Sequence, residues 1–392
     1  MENGERTSVI YLDHSASTPT DPRVIEAMLP HFHENYGNSS SMHAFGRRAE
    51  GAVEEARERV AAIFNCKPRE ILFTSGGTES DNLAIRGTAL SENWPRGALL
   101  LTTPIEHEAV LETLRQLSQR GDQELQLLPL DSAGMLSAAD FAAACDERAV
   151  FASVIYASNE IGTIQPIPEL ATLARERGCV FHTDAVQAAG QLSLDVQALN
   201  VDLMSIAAHK FYGPKGVGAL YCNEAISLQA HVTGGAHEAG RRAGTLNTPG
   251  IVGLAAALEL AEERREIHNR HLMALRDRLI EGILHEVPAA RLSGHPADRL
   301  PSHASFTFAG VDAQTLLMHL DLKGIAASSG SACKTGEAEP SRVLLSLGIA
   351  AERAKSGLRL TVGRHTTIAE IDRTIRALRE IVAPRLPAGI QA

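Results

Sequence analysis

Ala207-Ala208-His209-Lys210-Phe211-Tyr212-Gly213-Pro214-Lys215-Gly216 sets a lysine behind a histidine in a short segment with no evident structural purpose. Upstream, an apolar run ends in an acid and an amide, Val180-Phe181-His182-Thr183-Asp184-Ala185-Val186-Gln187. Together the two stretches hold the groups that pyridoxal phosphate chemistry needs. A lysine amine carries the cofactor aldehyde as a Schiff base, and a carboxylate keeps the pyridine nitrogen protonated so that the ring accepts electrons. Lys210 and Asp184 fit those two roles.

Around these stretches, apolar runs of strand length alternate with longer segments of helical period, the pattern of an α/β sheet covered on both faces. Predicted strands are Ile71–Thr74, Ala98–Leu101, Val150–Ile155, Cys179–His182 and Val217–Tyr221. Between Arg48 and Phe64, the residues Ala49, Val53, Ala56, Val60 and Ile63 recur on one helical face. A charged helix from Ile251 to Leu284 reads as the connector to a smaller C-terminal domain. The last helix starts at Thr367, whose spacing to Glu370 fits a capping box, and is expected to pack on a smaller sheet.

Length and composition exclude several functions. At 392 residues the chain is long enough for two domains and a buried site. The formal net charge is -10, with arginines and glutamates interspersed, which argues against nucleic acid as a partner. No run approaches a membrane span, and the N-terminus is polar without a signal-peptide pattern. The 5 cysteines are scattered without a Cys-x-x-Cys pair, so a disulfide framework or metal site is not expected and a cytoplasmic setting is.

Further motifs fall at strand ends. Ser75-Gly76-Gly77-Thr78-Glu79 joins a strand to a helical pattern, and a helix start of that kind offers free N–H groups to a phosphate, with Gly77 and Thr78 as the contacts. Taken alone, Thr78 reads as a helix cap. His107 follows a strand at the edge where α/β sheets hold ligands; it can stack on a pyridine ring and move protons, or be a solvated loop histidine. Asn159 and Gln187 are candidates for the cofactor hydroxyl, or ordinary turn formers. Asp184 and Gln187 are expected on one side of a helical first turn.

Cys333 stands apart in Ser328-Ser329-Gly330-Ser331-Ala332-Cys333-Lys334-Thr335-Gly336, where small polar residues predict an exposed, flexible loop and Lys334 favours the thiolate. The other four cysteines sit in or beside apolar segments and read as small hydrophobes. Arg359 interrupts a strand pattern, either as an exposed residue or as a clamp for a substrate carboxylate.

With these residues in place, the chain resembles the cysteine desulfurases of the class V aminotransferase family over essentially its whole length. The match runs from Tyr11-Leu12-Asp13-His14-Ser15-Ala16 through Ser75–Glu79, His107, Asn159-Glu160-Ile161-Gly162, Asp184–Gln187 and His209-Lys210 to Arg242-Ala243-Gly244-Thr245, the Cys333 loop and Arg359. The loop looks like that of the group with a long mobile cysteine loop, related to iron-sulfur-cluster and nitrogenase-maturation enzymes. The resemblance implies fold type I: a large domain, residues 16–264, around a mainly parallel seven-stranded sheet, and a small α/β domain, residues 1–15 and 265–392. It implies a homodimer in which Thr245 reaches the phosphate of the neighbouring cofactor. His209 would join the phosphate site, and Asn38 and Arg359 would hold the carboxylate of L-cysteine.

Three departures are visible. Ala207 stands where relatives carry a phosphate-donating serine. The glycine-rich loop reads Gly234-Gly235-Ala236-His237-Glu238-Ala239 instead of ending in arginine, and the C-terminal residues lack the longer tail with which some relatives grip a scaffold. The implied reaction turns L-cysteine into L-alanine. Lys210 takes the α-proton, His107 serves the substrate thiol and Cys333 receives the sulfur for an acceptor such as an iron-sulfur cluster scaffold. Competing readings are another class V reaction, such as amino-group transfer or selenocysteine cleavage, and a catalytically silent sulfur carrier.

Overall fold

The computed structural model describes residues 9–92, 94–120, 123–330 and 339–385. A seven-stranded sheet is ordered Ile71–Thr74, Gly218–Cys222, Leu203–Ala207, Val180–Asp184, Ala149–Ser153, Leu99–Thr102 and Glu124–Leu127. Gly218–Cys222 runs antiparallel to both neighbours, and the remaining pairs are parallel. Six of these strands therefore present their carboxyl ends at one edge, where open α/β sheets bind ligands. Helices cover both faces, which is why the central strands are apolar throughout rather than alternating.

The five predicted strands are present within a residue or two of their expected bounds. Two more were not anticipated. Glu124–Leu127 is a polar, largely exposed edge strand, and Leu203–Ala207 is the buried strand that leads into Lys210. The helix predicted from Arg48 begins at Ala44, with His43 Nδ1 accepting from the Gly46 N–H as its cap.

The expected single helix over Ile251–Leu284 is in fact two, Thr248–Glu263 and Arg265–Glu286. Arg264 breaks the run with φ -112° and ψ 6°, so the chain turns off the large sheet there. The first helix buries its residues against the large core, whereas Leu272, Leu275, Leu279 and Ile283 of the second enter a separate one.

That second core also takes Ile10 and Leu12 from the N-terminal segment. Its sheet is antiparallel, ordered Ala290–Leu292, His303–Phe308 and Leu358–Thr361. The final helix, Ile368–Val382, has the expected capping box between Thr367 and Glu370 and buries Ile371, Ile375 and Leu378 beside that sheet. Among the described residues, no helix is long and apolar enough to cross a membrane.

Candidate active site

Strand ends deliver the polar groups. Val180–Asp184 finishes in Asp184, which is 4% exposed and whose Oδ1 accepts from the Val186 N–H at 2.9 Å. Burial raises its pKa, and the charges of His107 and Lys210 pull it back. Leu203–Ala207 passes into the short turn Ala208–Lys210, which carries His209 and Lys210 to the same edge. Lys210 Nζ donates to the carbonyls of Ser15 at 2.6 Å and Ala16 at 2.9 Å. Burial, with the Arg359 charge nearby, lowers its pKa to about 8, so the nucleophilic neutral amine is far more populated near neutrality than in a free lysine. His209 is lowered to about 4, chiefly by burial, and its Nδ1 lies 3.3 Å from Ser17 Oγ.

Ile71–Thr74 turns into the helix Gly77–Glu92, whose first N–H groups have no acceptor within the helix and sit at the positive end of its dipole. A Cβ on Gly77 would lie 2.8 Å from Val186 Cγ2, so the helix start is pressed against the Asp184 turn. His107 caps Glu108–Arg120, its Nδ1 accepting from the Ala109 N–H at 3.1 Å. Arg359 reaches across from the small sheet, is 7% exposed, and donates to Asn159 O at 2.9 Å and Asp13 Oδ1 at 3.0 Å.

One cavity of about 260 Å³ gathers Gly77, Thr78, His107, Asn159 and Asp184 with Gln187, His209, Lys210 and Arg359. Asp184 and Gln187 do not share a helical turn: Asp184 ends a strand and Gln187 lies in the turn beyond it, where its Nε2 donates to Ser15 O at 3.0 Å. Ala207, the departure noted in the sequence, lines the cavity with a methyl group. Asn38 and Thr245 are exposed and outside this cavity, and Cys333 lies outside the described residues.

Sequence reasoning overlooked the floor of the site. Asp81, 1% exposed, lines the cavity, and its Oδ1 has no hydrogen-bond partner among the described residues. Polar atoms of Asp81, His107 and Asp184 all lie within 4.8 Å of one another. Behind them a buried line runs through Ser153 Oγ, His182 and Ser205 Oγ, at 2.8 and 3.0 Å. The only sequence signal was helical spacing, which sets Asp81 one turn after Gly77 and Thr78.

These residues fit pyridoxal phosphate. The cavity holds an amine with a lowered pKa, a buried carboxyl that the charges of His107 and Lys210 reach and, lining the same cavity, a helix start that offers free N–H groups to an anion.

Glu106 adds a pH-dependent element. It is 1% exposed, its Oε1 accepts from Thr103 Oγ1 at 2.6 Å and from the Ile155 N–H at 2.9 Å, and burial raises its pKa from 4.5 to about 8. A carboxyl that holds its proton more tightly when folded stabilises fully below its unfolded pKa, and that stabilisation is lost as pH rises through the folded value. Glu106→Gln has no such proton to lose. Its stability relative to wild type is therefore expected to improve steadily between about pH 4.5 and pH 8 and then level off. Urea midpoints across that range check it, and parallel profiles for the two proteins would reject it.

Comparison with known proteins agrees with this geometry. The family model "Aminotransferase class-V" matches residues 10–374. A protein of Clostridium botulinum named cysteine desulfurase IscS is 46% identical over 379 residues, covering 96% of this chain and 95% of that one. A Methanosarcina thermophila protein of the same name is 46% identical over 373 residues, 95% of this chain and 92% of the other. The solved structure of a NifS-like protein superposes with a TM-score of 0.89 at 34% identity, covering 96% of this chain and 99% of that one. With the match extending from the N-terminal strand to the final helix, this chain belongs to the class-V aminotransferase family.

Proposed function

We propose that this protein is a pyridoxal-phosphate-dependent cysteine desulfurase, converting L-cysteine to L-alanine and taking the sulfur onto Cys333 as a persulfide. The observation that carries the reading is the convergence of the Lys210 amine, the Asp184 carboxyl and the Arg359 guanidinium on one cavity. Its relatives of that name are aligned over nearly their full lengths.

When bound, the cofactor supplies an electron sink for the α-carbon of the substrate. Lys210 would hold its aldehyde, and its amine would take the α-proton of the substrate. Asp184 would keep the proton on the ring nitrogen. The N–H groups of Gly77 and Thr78, with His209, would hold the phosphate. Asn159 and Gln187 would bond the ring hydroxyl, and His107 would move a proton at the substrate thiol. Arg359 and Asn38 grip the substrate carboxylate. The Cys333 thiolate attacks the substrate sulfur; the new S–S bond forms as the substrate C–S bond breaks, and that electron pair returns to the carbon.

The small domain in this reading comprises residues 1–15 and 265–392, and residues 16–264 form the large one. Thr245 completes the phosphate site of the other subunit in a homodimer. The persulfide passes to a protein acceptor in the cytoplasm, such as an iron-sulfur cluster scaffold.

The test is an absorbance spectrum of the purified protein, followed by L-cysteine with reductant and assays for alanine and sulfide. Equal yields of the two are expected. A coloured protein that forms no alanine would overturn the desulfurase reading, and a colourless one that takes up no cofactor would overturn the assignment of Lys210.

A further inference from the structure

His303 begins the middle strand of the small sheet and is fully buried. Its Nε2 lies 3.2 Å from the carbonyl oxygen of Asn159, in the turn beyond the large-sheet strand Ala149–Ser153. A carbonyl only accepts, so the imidazole carries a proton on Nε2. Burial and the charges of Arg359 and Arg299 hold the pKa of the ring well below its usual value, which keeps it neutral with that single N–H. Nδ1 has no hydrogen-bond partner among the described residues and faces Gly162, where a Cβ would fall 2.7 Å from it. Gly162 takes φ +76°, and its N–H donates to Ser158 O at 2.9 Å, closing the turn that contains Asn159. The ring is wedged against that turn with its one donor on one carbonyl.

Arg359 meets the same oxygen. Its Nη1 donates to Asn159 O at 2.9 Å and its Nη2 to Asp13 Oδ1 at 3.0 Å. Strand pairing explains the convergence: His303 lies opposite Thr361 and Ser305 opposite Arg359, so these side chains stand on one face of the small sheet. The Nε of Arg359 is buried and has no hydrogen-bond partner among the described residues, which leaves the guanidinium a donor for a ligand. Arg359 lines the cavity and His303 does not, so His303 acts on a ligand there only through what it holds.

We infer that His303 is a positioning residue for the substrate carboxylate: its N–H fixes the Asn159 carbonyl, and that carbonyl sets the aim of the Arg359 guanidinium. The inference rests on the desulfurase reading above, in which Arg359 grips the carboxylate, and adds a residue to it. Its physical basis is direction. A guanidinium holds a carboxylate well only when its planar fork faces it, and a fork hung between two acceptors turns when one of them moves. The Asn159 oxygen takes both donors on its lone pairs. Without the imidazole that oxygen is free to tilt with its peptide, and the fork tilts with it.

His303→Leu fills much of the space without a donor, and His303→Met does so with a more adaptable chain. His303→Gln places an amide N–H near the position of Nε2. The holoenzymes are to be titrated with L-alanine, which carries a carboxylate, and with cysteamine, which carries none, and binding is read from the absorbance change. Affinity for L-alanine should fall roughly tenfold in the Leu and Met variants, the effect of one misaligned charge-assisted hydrogen bond. Affinity for cysteamine and cofactor content should stay at the wild-type level, and His303→Gln should recover most of the loss. In an Arg359→Ala background His303→Leu should have no further effect on L-alanine. A crystal structure of His303→Leu should show the guanidinium turned from its wild-type direction. Equal losses for the two ligands, wild-type affinity for L-alanine, multiplying effects with Arg359→Ala or an unmoved guanidinium would each overturn the positioning role. A wild type that forms no alanine from L-cysteine would sink the desulfurase reading instead, and Arg359→Ala with undiminished affinity for L-alanine would sink the carboxylate clamp, so these failures are distinguishable.

Discussion

Lys210→Ala is expected to lower turnover by roughly 10⁴-fold and to abolish covalent attachment of the cofactor, because one side chain serves two successive purposes. The same amine that carries the aldehyde is freed to take the α-proton, so no second residue is left in position when it is removed. The fold should survive. The turn bearing Lys210 is held by Thr18, whose N–H and Oγ1 both donate to His209 O at 2.9 Å and whose Oγ1 accepts from the Tyr212 N–H at 2.8 Å. None of these bonds involves the lysine side chain. Lys210→Arg should be equally inactive, since a guanidinium stays protonated at neutral pH whereas burial holds Lys210 at about 8. Borohydride reduction followed by peptide mapping decides the matter: wild type should be labelled on Lys210 alone. A reducible adduct on another lysine of the Lys210→Ala variant would refute the assignment.

Asp184 was legible because it is a charged residue ending an apolar run, and Lys210 because it stands behind a histidine in a short segment with no evident structural purpose. Burial without a chemical purpose would be costly for either. The strand before Lys210 was not legible. Leu203-Met204-Ser205-Ile206-Ala207 is too short and too uniformly apolar for its period to separate strand from helix, and only pairing with Val180–Asp184 and Gly218–Cys222 defines it. Glu124–Leu127 failed for the opposite reason, since an edge strand facing water carries polar residues. The break at Arg264 was hidden because neither glycine nor proline marks it; divergence of the two cores on either side imposes it.

Long-range placement was the other limit. Asp81 and Glu106 gain their meaning from groups on distant elements, Asp184 and Ile155 respectively. Spacing along the chain carries no information about such pairs.

Cys333→Ala is expected to keep the cofactor and the cysteine-induced absorbance change while losing sulfide production by more than about 10²-fold, since the thiolate is the group that accepts the sulfur. Rescue by another thiol is closed off by the fold. Cys145, Cys179 and Cys222 are buried. The half-buried Cys66 has its thiol pushed up to about 12, first by burial, as has Cys222, so neither supplies appreciable thiolate at neutral pH. The variant also separates the competing reactions. Amino-group transfer makes no use of a thiol and would proceed at the wild-type rate, whereas desulfuration stops with substrate bound. The check is direct. Wild type treated with L-cysteine should show one added sulfur atom on the peptide containing Cys333, and the variant should show none on any cysteine. Undiminished alanine and sulfide from Cys333→Ala would remove that residue from the reaction and leave the sulfur to depart by a route that does not pass through the protein.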